Sequence, residues 1–410
     1  MEYQFSDRIK ALKPSAIREI FKYASDPGVI SLSAGNPSPE AFPADEIAEI
    51  TAKILKERPI EALQYGVTEG YAPLRAYLSD YMREKHGVGR DFDGILITSG
   101  AQQVMDLFSK SVLNEGDTVI CEAPSFIGSL NTFRSYNVRL KGIPMENDGM
   151  NVELLEQALK NEKNVKFIYV IPNFQNPTGI TTGMEKRRQI YELAKRYRVL
   201  ILEDNPYGDI RFAGQPVASV KSLDEDGLVL YAGHIEALKS LDTEGIVVYA
   251  GTFSKVISPG LRVGYAVAPE EILRKMVVCK QGEDVHTAIL NQMICYEFMA
   301  HYDYEGHLKK LKEIYRAKAK IACDAMDRYL APEITYMPIE GGLFFWCTLP
   351  ERTDMPSFCK KAVRERVCVV PGTAFLTDEK QPCGSFRINY TTPDNTGLVK
   401  GIKILGGILK

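Results

Sequence analysis

Nowhere does this chain carry an apolar run near the about 18 residues that a membrane-crossing helix needs. Charge of one sign is missing too: 50 Lys and Arg stand against 53 Asp and Glu, so no strong field points toward nucleic acid or a membrane surface. Its opening residues, MEYQFSDRIKALKPS, are charged and lack the apolar core of a signal peptide. Eight cysteines are present, at 121, 279, 295, 323, 347, 359, 368 and 383, but no Cys-x-x-Cys pair. Most sit among apolar neighbours, as in Val278-Cys279 and Trp346-Cys347, and read as reduced core residues of a cytoplasmic protein. Histidine is scarce, and the spacing of His301 and His307 in HYDYEGH matches no common metal pattern. No metal site, nucleic-acid partner or membrane contact is therefore expected.

What is present is an ordinary globular composition, 45% hydrophobic and 25% charged over 410 residues, long enough for two or three domains. Residues 7–25 read as a helix interrupted near Lys13-Pro14-Ser15, followed by an extended piece at 29–33. From about residue 45, helical stretches such as 101–113 and 185–197 alternate with short β-branched runs at 94–98, 118–121, 165–171 and 199–203. Strand–helix alternation with nearly continuous apolar strands predicts an α/β fold, its mainly parallel sheet covered on both faces. A long charged helical stretch, 305–330, leads to a smaller α+β part, with strands at 342–347, 367–370 and 384–390 and helices near 357–366 and 394–409.

One segment is duplicated. Residues 216–233, PVASVKSLDEDGLVLYAG, are followed at once by HIEALKSLDTEGIVVYAG at 234–251. Both copies offer the same strand, yet an interior sheet has one slot for it. The second copy runs directly into Gly251-Thr-Phe-Ser-Lys255, so it is expected to take the slot. The first copy, 228–233, should then be displaced, with 234–241 forming a short helical or irregular excursion.

Lys255 follows that strand, sits beside the hydroxyls of Thr252 and Ser254, and precedes Arg262 in Ser-Pro-Gly-Leu-Arg262. A desolvated lysine near other cations loses proton affinity and becomes a nucleophile toward carbonyls. Four more segments accompany it: Thr98-Ser-Gly100-Ala101-Gln102 between a strand and a helix, Asn176-Pro-Thr-Gly179, Glu203-Asp204-Asn-Pro-Tyr207, and Phe386-Arg387. Singly these are a helix start, a turn, a helix cap and a strand arginine. Jointly they lie in the order, and at the strand ends, where an open α/β sheet collects its ligand.

Over essentially its full length the chain resembles the class I/II aminotransferases of fold type I, which use pyridoxal 5′-phosphate (PLP). The nearer likeness is to the branch with 2-aminoadipate, kynurenine and aromatic aminotransferases, carried by Lys13-Pro-Ser-Ala-Ile-Arg18, Leu63-Gln-Tyr65 and EGGLFFW at 340–346. That branch also supplies the effector domain of some bacterial transcription regulators; with no winged helix-turn-helix ahead of residue 1, the regulator reading would lack its DNA-binding half.

The resemblance implies an aspartate-aminotransferase-like architecture with a seven-stranded large sheet. It divides the chain into an N-terminal arm (1–40), a PLP-binding domain (41–300) and a small domain (301–410). It also implies roles. Lys255 would form the cofactor Schiff base and then move the substrate proton, and Asp204 would face the pyridine nitrogen. Asn176 and Tyr207 would hydrogen-bond the ring oxygen, and Phe126 would stack on the ring. Gly100, Ala101, Gln102, Thr252, Ser254 and Arg262 would hold the phosphate, joined by Tyr65 of a neighbouring subunit in a homodimer. Arg387 would clamp the substrate α-carboxylate beside Asn176 and Gly35, and Arg18 would meet an acidic side chain, while Tyr23, Phe126 and Phe375 would favour aromatic ones. The expected reaction transfers an amino group between an L-amino acid and a 2-oxo acid. The alternatives are a PLP lyase or decarboxylase, and a ligand-sensing relative.

Overall fold

A computed structural model describes residues 3–11, 26, 28–214 and 237–409. Of the expected N-terminal helix, Asp7–Ala11 is helical, and the remainder, with Arg18 and Tyr23, lies outside the described residues. Strand β1 (Ile30–Ser31) follows.

The large sheet is built from β2 (Asp93–Thr98), β3 (Thr118–Ala123), β4 (Arg139–Glu146), β5 (Gly149–Met150), β6 (Val165–Val170), β7 (Leu200–Asp204), β8 (Val247–Thr252) and β9 (Gly264–Pro269). Their order is β2-β9-β8-β7-β6-β3-β4-β5. Strands β8, β7, β6, β3 and β4 run parallel; β9 is antiparallel to both of its neighbours. The seven expected strands are thus extended by the two-residue β5, which turns back antiparallel on β4.

Alternate residues of the central strands enter different cores, because successive side chains point to opposite faces. In β6, Phe167 and Tyr169 join the larger cluster with Val104, Phe108 and Phe133 of the helices Ala101–Val112 and Ile127–Arg134. Ile168 and Val170 join a second cluster with Leu155, Ile190 and Ala194 of the helices Val152–Asn161 and Met184–Tyr197. Burial on both faces explains the continuous apolar runs.

The second copy of the duplicated segment fills the slot. Its strand, β8, lies between β7 and β9, with Ile201 opposite Val247 and Gly251 opposite Tyr265. Upstream, 238–241 form a short 3-10 turn. Fully buried Lys239 donates to Asp93 and Asp242, both at 2.7 Å. Glu203 accepts the backbone N–H groups of Leu238 and Lys239 at 2.9 and 2.8 Å. The copy at 216–233 lies outside the described residues.

The 26-residue helix Tyr304–Tyr329 leads to the smaller sheet. Here β10 (Thr335–Tyr336), β11 (Phe344–Thr348), β13 (Val370–Pro371) and β14 (Ser385–Asn389) pair antiparallel in the order β10-β11-β14-β13. The run expected as one strand at 367–370 is divided. Val367–Cys368 (β12) pairs with β1, whereas β13 pairs with β14. Among the described residues no helix is long and apolar enough to cross a membrane.

Candidate active site

Residues at or just past the ends of β6, β7 and β8 and one strand of the small sheet meet in a single polar cluster. Asp204 closes β7 and is buried. Burial pushes its carboxyl up to about 6, against a 2.7 Å hydrogen bond from the Tyr169 hydroxyl and the attraction of Lys255.

Lys255 lies just past β8, and its Nζ donates to the Gly35 carbonyl at 2.8 Å. The side chain is half-buried. Desolvation above all, with Arg387 and Arg262 adding to it, lowers its proton affinity to about 8, while Asp204 opposes the shift. This is the electrostatic setting expected of a reactive amine.

Arg387, from β14, is buried. Its Nη1 donates to Asn176 Oδ1 at 2.8 Å and its Nη2 to the Ser33 carbonyl at 2.7 Å, while Nε is buried without a partner. The guanidinium lies 4.0 Å from the Phe344 ring centre and 5.0 Å from that of Phe375. Burial lowers its pKa to about 10, opposed by Tyr207. Asn176 Nδ2 reaches the Tyr207 hydroxyl at 3.5 Å. Burial raises the Tyr207 phenol.

A second group of residues forms a cradle beside the first. Gly100 (φ 83°) precedes the helix Ala101–Val112, whose first N–H groups receive no side-chain cap there. Arg262 Nη2 donates to the Ser99 carbonyl at 3.1 Å. A Cβ on Gly264 would stand 2.6 Å from Gly100 C and 2.7 Å from Ala101 N, so only glycine admits this approach. Thr252 Oγ1 donates to Ser254 Oγ at 3.0 Å and accepts the Ser254 N–H at 3.1 Å.

The fold therefore joins Gly35, Asn176, Asp204, Tyr207, Lys255 and Arg387 in one cluster and Gly100, Ala101 and Arg262 in another. The Phe126 ring lies against Gly128, beside Gln102. The Gln102 side-chain amide donates to Gly128 O at 3.1 Å and Thr132 Oγ1 at 2.7 Å, turning the side chain to a neighbouring helix and leaving the backbone N–H at the helix start. Tyr65 is 82% exposed, its ring edge-on to His286 at 5.8 Å. Tyr169, Ser33 and Phe344 escaped the sequence reading. A hydroxyl inside the apolar run Phe167-Ile-Tyr169-Val was a usable signal for Tyr169, because a buried phenol requires a partner.

A family model for aminotransferase class I and II matches residues 27–402. The chain belongs to this family of PLP-dependent enzymes. Aromatic-amino-acid aminotransferase 1 of Thermococcus litoralis is 37% identical over 413 residues, spanning 100% of this chain and 94% of its own length. The crystal structure of Pyrococcus horikoshii kynurenine aminotransferase in complex with PMP superposes with a TM-score of 0.90 at 33% identity, covering 99% of this chain and 96% of that one. The α-aminoadipate aminotransferase of Thermus thermophilus, complexed with N-(5'-phosphopyridoxyl)-L-leucine, has a TM-score of 0.86 at 35% identity, covering 99% and 97%. This aminotransferase accordingly moves an amino group between an amino acid and a 2-oxo acid. The fold is aspartate-aminotransferase-like.

Proposed function

We propose that this transaminase binds PLP between the two clusters, takes 2-aminoadipate or aromatic amino acids with glutamate as donor, and acts as a cytoplasmic homodimer. The observation carrying the reading is the pairing of a buried carboxylate, Asp204, with a proton-poor lysine, Lys255, beside a cradle that only glycine permits. That donor set fits PLP: free helix N–H groups and Arg262 for a phosphate, an anion for a ring nitrogen, and an amine for the aldehyde. Bound there, PLP supplies the electron sink that acidifies the substrate Cα–H bond.

The residues divide the remaining work. Asp204, ionised near neutral pH and held by Tyr169, would keep a negative charge available to the ring nitrogen. Asn176 and Tyr207 offer donors to the ring oxygen. Arg387 retains N–H groups beyond those given to Asn176 and Ser33, and these orient the substrate carboxylate. Lys255, with its proton affinity lowered, would take the substrate Cα proton at its Nζ and, as the ammonium, give it up again. Clamping the carboxylate at Arg387 favours breaking Cα–H over losing CO2.

Phe344 and Phe375 beside Arg387 support an aromatic substrate. Arg18 is proposed for an acidic side chain. Ile60, Leu63, Tyr65 and Val67 are 75%, 71%, 82% and 59% exposed on one short segment, which supports coverage by a second copy and Tyr65 as its phosphate ligand. Eight free cysteines support a reducing compartment. The proposed division is an arm at 1–40, a PLP domain at 41–300 and a small domain at 301–410. The test is a panel of amino donors and oxo acceptors, led by glutamate with 2-oxoadipate and with phenylpyruvate. Turnover of neither an acidic nor an aromatic substrate would overturn the specificity, and ammonia release would point to a lyase.

A further inference from the structure

Ser99 has every polar group of its residue taken by a side chain. Arg262 Nη2 donates to its carbonyl at 3.1 Å. Its N–H donates to Gln103 Oε1 at 2.8 Å, and its hydroxyl donates to Asp284 Oδ2 at 2.7 Å and lies 3.1 Å from Thr287 Oγ1. Behind these acceptors stands one fully buried cation, Lys280. Its Nζ donates to Gln103 Oε1 at 2.7 Å, to the two Asp284 oxygens at 2.8 and 2.9 Å, and to Thr287 Oγ1 at 3.1 Å. Gln103 Nε2 closes the ring on Asp284 Oδ2 at 2.9 Å.

Lys280 is buried while its partner Asp284 is half-buried, so desolvation of the lysine offsets much of the attraction, but the pair holds its hydrogen-bond partners in one arrangement. Here that arrangement is the turn leading into Gly100 and Ala101. The backbone on the other side of the pair is also constrained. Val285 has φ 63°, a left-handed value that a β-branched residue rarely adopts, and the Lys280 carbonyl accepts the N–H groups of Asp284 and Val285 at 3.1 and 3.2 Å. The loop then runs to Ile289, which packs against Gly66, next to Tyr65.

We infer that the Lys280–Asp284 pair is a positioning device for the cofactor phosphate. Through Ser99 it fixes the direction of the N–H groups at Ala101 and Gln102, while the Gly100 N–H closes on the Thr98 carbonyl at 2.8 Å, and through 285–289 it ties that turn to the segment carrying Tyr65. The inference rests on the PLP reading above. Lys280 touches neither the phosphate nor the substrate; it acts through Ser99.

The test compares PLP dissociation constants of the apo forms of wild type, Lys280→Met, Asp284→Asn and Lys110→Met, with the 31P resonance of bound PLP as a second readout. Lys110 pairs with Glu283 on the same loop at 3.1 Å and makes no contact of its own with the ring, which Glu283 meets only through a long 3.4 Å bond from Gln103, so its variant is the control. Lys280→Met and Asp284→Asn are expected to weaken PLP binding about tenfold or more, the scale on which supporting hydrogen bonds tune a bound group. At saturating PLP, kcat should stay within about threefold of wild type, as for a change in binding alone. The phosphate resonance should shift or broaden in both, and Lys110→Met should match wild type. If Lys280→Met does not fold, Asp284→Asn, which preserves shape, decides. A lower melting temperature with unchanged PLP affinity and resonance would overturn the inference. Wild-type protein that binds no PLP would overturn the PLP reading instead.

Discussion

Arg387 Nη1 donates to Asn176 Oδ1 at 2.8 Å, so a single hydrogen bond joins the small sheet to the loop after β6. The same guanidinium packs on Phe344 at 4.0 Å and keeps a buried, unpaired Nε. Lysine cannot reproduce that planar fork. Arg387→Lys should lower kcat/KM for amino acids about 10²-fold, the cost of misplacing a bound substrate, with PLP affinity retained. Steady-state kinetics beside a PLP titration check this, and an unchanged KM would remove Arg387 from substrate binding.

Lys255→Ala removes both the amine and the proton carrier. The purified variant should lack the visible absorbance of PLP-loaded wild type and lose at least about 10³-fold in turnover, within the range of a lost general base. A variant with full activity would end the assignment.

Tyr169→Phe deletes the 2.7 Å donor to Asp204 without changing packing volume much. The Asp204 carboxyl, already raised to about 6 by burial, then loses a group that favours its charged form. Its ionisation moves to higher pH, and the acid limb of kcat/KM should follow by about one pH unit, the worth of a hydrogen bond to a charge. An acid limb that stays in place would show that Tyr169 does not tune Asp204.

Glu122 is a buried carboxyl that accepts from Ile171 N at 3.2 Å and Gln175 Nε2 at 3.1 Å. Burial pushes it up to about 8, with those donors opposing and Asp204 adding to the shift. Between its unfolded value of 4.5 and about 8 the native state holds a proton that the unfolded chain has released. Stability therefore falls as pH rises through that window, by up to about 1.4 kcal/mol per pH unit for this group. Glu122→Gln carries no such charge, so the apo variant should be more stable than wild type at the alkaline end of the window and close to it at the acid end. Urea unfolding at both ends measures the difference.

Deleting 216–233 should leave PLP binding intact. Every described contact of the slot, from Lys239 with Asp93 and Asp242 to the pairing of β8 with β7 and β9, is made by the second copy. Absorbance and melting temperature of the shortened protein check this; loss of the fold would mean that the first copy holds a structural place of its own.

The catalytic segments were legible in the chain because each marks a backbone event as well as a side chain. Gly100 opens a helix, Asp204 ends a strand and Lys255 follows one, so their order along the chain already implied a shared sheet end. Local pattern could not reveal the split of 367–370 between two sheets, since β12 and β13 differ only in which distant strand lies alongside.

Alternation of strand and helix, the duplicated segment and the lysine motif by themselves determined the fold class, the family and the copy that reaches Lys255. Only the tertiary structure decided what surrounds the reactive groups. Tyr169 on Asp204, Gly35 on Lys255, Phe344 on Arg387 and Lys280 behind Ser99 are partners far beyond a helical turn away in sequence, two of the four over a hundred residues apart. Their effect is electrostatic and depends on burial. A proton affinity is set by what excludes water and which charges stand nearby, and neither exists until the chain has folded.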